Sequence, residues 1–180
     1  MFERDRSAGV FRTLRENGPS ILVPAAWLVT ASAVLGIVGT HALFVAHVVM
    51  SVLLVAFLVG SWGEMGSGAL RVWKLVILAG TPVTLAGVAG FLALGGRLAL
   101  PAEPLLAVAL YGWILLPAAG LADTGRRVER AGRAYDLGAA CCVVGALGVA
   151  LAGSSTATAA ALGVVGVGQT VGIVAATVAE

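Results

Sequence analysis

Apolar residues in this chain neither alternate with polar ones nor recur on a single helical face. They run unbroken for about twenty positions at a time, and then stop at short polar or glycine-rich joints. A helix that crosses a bilayer needs about 20 apolar residues. Lipid offers the backbone no hydrogen bonds, so each crossing segment must satisfy its own N–H and C=O groups. Transmembrane strands would alternate in polarity over roughly ten residues, which these runs do not do. The pattern predicts an all-α membrane protein, a bundle of six transmembrane helices. Its spans are expected at 20–39, 41–61, 73–94, 102–121, 135–153 and 156–178. The first two spans are joined by almost nothing and are expected to form a tight antiparallel hairpin.

Composition narrows the class further. Of 180 residues, 59% are apolar and only 11% are charged. A soluble domain carries about 25% charged residues, so a water-soluble globule is excluded. A disordered chain would be polar and charged, so disorder is excluded too. The net charge of +2 is too small to suggest nucleic acid as a partner, and no basic run interleaves with aromatics.

Where the charges lie is more informative. Arg4, Arg6, Arg12 and Arg15 precede the first span. Arg71 and Lys74 lie between the second and third, and Arg126, Arg127, Arg130 and Arg133 between the fourth and fifth. With six spans, ten of the eleven basic residues fall on one side, and only Arg97 lies opposite. Basic loops stay cytoplasmic, so both termini are expected in the cytoplasm and the chain in the cell membrane. A cleaved signal peptide is the competing reading of the start, because Ala31-Ser32-Ala33 resembles a cleavage site. The apolar run continues through Val38, which favours an uncleaved span. Residues 1–18 place Val10, Phe11 and Leu14 at helical spacing among arginines. That fits a basic amphipathic segment on the membrane surface; a charged tail that only sets orientation fits equally. Residues 19–180 form the six-helix domain.

Helices in lipid associate through small residues and polar contacts. The third span carries Gly80, Gly87 and Gly90, the fifth Gly138, Gly145 and Gly148, and the sixth Gly163, Gly166, Gly168 and Gly172. Spans five and six are expected to pack as a hairpin about positions 153–155, with a homodimer through the sixth as the alternative. Pro24, Pro82 and Pro117 interrupt three spans, and each removes a backbone donor. Pro24 with Trp27, and Pro117 with Trp113, both lie near the inner face, so they do not support an inverted repeat.

Few polar side chains fall within spans, and such groups are functional candidates. His47 lies about 9 Å inside the outer end of the second span. His41, at the boundary, is about 240° away around the helix, so the two cannot share a metal. His47 is the candidate cofactor ligand, for haem or a quinone, with Tyr111 and Trp113 lining the site. No second intramembrane histidine completes a haem, and Met50 lies on the same helix. Near the midplane, Ser51, Thr81, Thr84, Tyr111, Gln169 and Thr170 could line a small polar pocket; ordinary interhelical hydrogen bonding is the simpler account. Of these, Gln169 is the most costly to bury unpaired.

At the inner face, Trp62 and Trp73 bracket a glycine-rich turn in which Glu64 could pair with Arg71 or Lys74. Arg126, Arg130 and Arg133 share one helical face and could contact anionic lipid headgroups. Adjacent Cys141 and Cys142 read as two small buried residues. No G-x-S-x-G, H-E-x-x-H or C-x-x-C motif occurs, and no carboxylate pair lies within a span.

The chain therefore reads first as a non-enzymatic membrane component: a subunit, scaffold or small transport-like bundle. Its partners would be the lipid bilayer and either further copies of itself or a membrane complex. A redox protein using His47 is the second reading. A facilitator of a small neutral solute is the third.

Overall fold

A computed structural model describes residues 21–63, 66, 68–128 and 131–178. These residues form six helices and no strand. They are α1 (Ile21–Val34), α2 (Thr40–Ser61), α3 (Gly68–Leu94), α4 (Ala102–Arg127), α5 (Gly132–Leu151) and α6 (Ser155–Val178). Five of them, α2 to α6, are long and apolar enough to cross a membrane. The described part of α1 is apolar but shorter than a crossing requires. The proposed surface segment at 1–18 lies outside the described residues.

Glycine ends two helices. The first apolar run was expected to stay helical to position 39, yet α1 stops at Val34. Gly36 takes φ +74°. Its N–H bonds Ala33 O at 3.0 Å, and the next N–H, from Ile37, reaches back to Ser32 O at 2.9 Å. These two bonds satisfy carbonyls that the helix end would otherwise strand. Gly96 (φ +71°) repeats the arrangement after α3, with Gly96 N–H to Ala93 O and Arg97 N–H to Leu92 O. Only glycine adopts this left-handed backbone without steric cost.

Other boundaries also have local causes. Ser154 caps α6, its hydroxyl accepting the Ala157 N–H at 3.2 Å. Pro101 precedes α4, and Pro104 falls in the first turn, where a missing N–H costs nothing. At its other end α4 runs past position 121 to Arg127. Arg126 and Arg127 occupy its last turn, where cations offset the negative end of the helix dipole. Helix α3 likewise begins before position 73 and α5 before position 135.

The helices pack in chain order, α2 on α3, α3 on α4, α4 on α5 and α5 on α6, and α4 also touches α6. Trp27 brings α1 against α6. The core lies among α4, α5 and α6, where Ile114, Leu121, Cys142, Leu162 and Val165 are fully buried. Helix α2 is peripheral, and Leu54 is its one buried side chain among the described residues.

Glycines set the closest approaches. Gly138 of α5 and Gly168 of α6 meet backbone to backbone, so a Cβ on Gly138 would stand 2.6 Å from Gly168 O. Gly145 lies against Val165, Gly148 against Ala161, and Gly172 against Leu121. On α3, Gly80 admits the Trp113 indole, and Gly90 admits Leu106. The glycine face of α6 is thus occupied within the chain at Gly166, Gly168 and Gly172. Gly163 faces away, with nothing within 4 Å of the position its Cβ would take.

Candidate functional site

The polar side chains within the spans divide into two groups. Ser51, Thr81 and Thr170 turn back onto their own helices. Their hydroxyls donate to the carbonyls four residues earlier, His47 O, Ile77 O and Gly166 O, at 2.7–2.9 Å. Tyr111 is half-buried and packs against the core.

The second group forms a chain of hydrogen bonds across four helices. Trp27 Nε1–H on α1 donates to Gln169 Oε1 on α6 at 2.9 Å. Gln169 Nε2 donates to the Trp113 carbonyl on α4 at 2.9 Å. Trp113 Nε1–H donates to Thr84 Oγ1 on α3 at 2.9 Å. Thr84 in turn donates to Gly80 O at 2.9 Å. The partners fix the orientation of the amide: an indole can only donate, and a carbonyl can only accept. Thr84 is fully buried and Gln169 is 6% exposed. Among the described residues, no buried side-chain nitrogen or oxygen lacks a partner.

One member of the chain has its cause in the sequence. In an unbroken α-helix the Trp113 carbonyl would accept the N–H of residue 117. That residue is Pro117, which has no N–H. The freed carbonyl is part-buried within the bundle, and the Gln169 amide reaches it from α6. Neighbouring helices re-satisfy backbone at transmembrane prolines in this way. Gly80 contributes by its lack of a side chain, because a Cβ there would lie 2.9 Å from the Trp113 ring. The Cys142 thiol also lies against Gln169.

The structure therefore joins Thr84 and Gln169 through Trp113, and leaves Ser51, Thr81 and Thr170 on separate local bonds. Trp27 and Trp113 complete the network, although sequence reasoning assigned them no hydrogen bond. The available signal was the four-residue step from Trp113 to Pro117.

His47 lies apart from this network. Its Nδ1 is 2.8 Å from Leu43 O, one turn earlier, so that nitrogen carries the proton and donates. The ring meets Phe91 edge-on at 5.2 Å between centroids. It also presses on the α3 backbone, and a Cβ on Gly87 would overlap its imidazole carbon and sit 2.7 Å from Nε2. This is the geometry of a side chain that locks α2 to α3.

Between α2 and α3, Lys74 Nζ sits 3.4 Å from the centre of the Trp62 ring and donates to Trp62 O at 2.9 Å. Trp73 packs over Gly120 of α4. Glu64 and Arg130 lie outside the described residues. Arg127 is paired with Asp123 one turn earlier on α4, while Arg126 and Arg133 are exposed.

Among the described residues, no three His, Cys, Asp or Glu side chains gather in a metal-binding cluster. Compared with known protein families, curated proteins and solved structures, the chain matches none of them.

Proposed function

We propose that this polytopic helical membrane protein is a non-enzymatic component of the cell membrane, acting as a subunit or scaffold. The observation that carries the reading is the closed hydrogen-bond chain from Trp27 to Gly80. Its donors and acceptors are matched to one another, so they hold helices together. They are not presented to a solute or a reacting group. A path for a neutral solute would need unpaired polar groups facing a common passage, and here the strongest of them are engaged. Reconstituted protein should leave the glycerol and urea permeability of liposomes at the protein-free level, measured by stopped-flow light scattering. A flux that Thr84→Leu blocks would replace this reading with that of a facilitator.

In this proposal α1 completes a six-span bundle with both termini cytoplasmic, supported by the ten basic residues gathered on one side. Arg97→Cys should react with a membrane-impermeant maleimide in intact cells, and Arg126→Cys only after lysis. The reverse pattern would overturn the orientation.

A further inference from the structure

A groove of about 810 Å³ runs between α1, α6 and the start of α5. That is within the range of roughly 300–1,000 Å³ typical of small-molecule sites. Along α6 it extends from Gly163 to Ala175, about 18 Å at 1.5 Å per residue. It is concave because small residues floor it, among them Ala31, Ala134, Gly163 and Gly166. Its lining offers almost no polarity. Thr170 is bonded to Gly166 O, and the Trp27 indole N–H to Gln169. One end of the groove is bounded by Ala131, the residue before α5, and by Ala134 in the first turn of α5. Arg133 in that same turn and Arg126 in the last turn of α4 are both exposed.

An apolar channel of this length, open along its side and flanked by cations at one end, matches a molecule with a long hydrocarbon part and an anionic head. We propose that the groove binds an anionic glycerophospholipid, with its acyl chain along α6 and its headgroup beside Arg126 at the end of α4 and Arg133 at the start of α5. The inference goes beyond the scaffold reading, and does not depend on which face of the membrane is cytoplasmic. Acyl chains gain nothing hydrophobic by leaving one apolar phase for another. Shape therefore places the chain, and selectivity comes from the headgroup charge. Arg127 contributes less, since Asp123 already partners it. Asp136, exposed one turn into α5, turns its carboxylate toward Gly125 of α4 and offsets part of the positive charge there.

The test is native mass spectrometry of the full chain released from detergent. The probes are phosphatidylglycerol and phosphatidylcholine with identical acyl chains. The unchanged protein should retain a single phosphatidylglycerol, preferred about tenfold over phosphatidylcholine. The Arg126→Gln/Arg133→Gln double variant should bring that ratio near one. Gly163→Phe points a ring into the groove, where nothing lies within 4 Å, and should remove both adducts. Val144→Phe, at an exposed position of α5 outside the groove, should keep them and so controls for added bulk. Equal retention of the two lipids by the unchanged protein would overturn the proposal. So would adducts that survive Gly163→Phe, or a lipid-free dimer in which a second copy covers the groove. Circular dichroism of each variant separates loss of lipid from loss of fold.

Discussion

Gln169→Leu should lower stability by about 2 kcal/mol, and Pro117→Ala should take back about half of that loss. Leucine preserves the bulk of the side chain but leaves two groups without partners, the Trp27 indole N–H and the Trp113 carbonyl. An unpaired polar group in a protein interior costs about 1–3 kcal/mol. Measured interhelical bonds in membranes average nearer 0.6 kcal/mol, because a chain unfolded in lipid also finds partners. That discount applies poorly to the Trp113 carbonyl. Its own helix cannot supply a donor while residue 117 is proline, whether or not the bundle is assembled. Alanine at 117 restores the missing N–H, so the carbonyl no longer depends on α6. The double variant Pro117→Ala/Gln169→Leu should therefore be more stable than the sum of the single effects by about 1 kcal/mol. Independent sites add within roughly 0.3–0.5 kcal/mol. Denaturant titration in detergent micelles measures the cycle, and strict additivity would show that Gln169 does not serve the carbonyl Pro117 frees.

The same pair of residues shows how far the sequence could be read. The long apolar runs announced helices and their approximate limits, because hydropathy over twenty residues is a strong signal in lipid. Glycine-dense stretches announced close packing between α5 and α6 for the same reason: only small residues let backbones approach. Partner identity was harder to see. Gln169 stood out as costly to bury, but nothing local to α6 names α4 as its acceptor, since the two are 56 positions apart. Pro117 reads, from the sequence, as the loss of a backbone donor. The sharper inference, that residue 113 must lose its helical partner, was available from a four-residue step. His47 was legible as a polar group within a span, but its contacts with Leu43, Gly87 and Phe91 depend on which face α2 turns to α3. Uniformly apolar helices have no polar face to reveal that rotation. The early end of α1 was hidden because hydropathy continues through Leu35–Val38, although Gly36 with apolar Ile37 after it is a helix-stop signal in its own right.

A single substitution, glycine to alanine, should change sign with position on the α5–α6 pair. At Gly163 it should stabilise by about 0.5–1 kcal/mol, the ordinary gain from stiffening a helix interior, because the new methyl meets open space. At Gly138 it should destabilise by about 1–3 kcal/mol, the usual cost of overpacking. There the methyl would sit 2.6 Å from Gly168 O and 3.3 Å from a Leu121 methyl. The first is backbone and has no rotamer to change, and the second belongs to a side chain only 1% exposed. Relief must come from parting the two helices. That also disturbs Gly145 on Val165 and Gly148 on Ala161, so the loss spreads along the interface. The effect should fall on the unfolding of the monomer, because this glycine face is closed within one chain. Thermal unfolding in detergent at two protein concentrations distinguishes the possibilities. A midpoint for Gly138→Ala that is lowered equally at both concentrations is expected. A midpoint that rises with concentration would place the glycine face between copies instead, and a value unchanged from the parent would mean that α5 and α6 do not approach as closely as their carbonyls indicate.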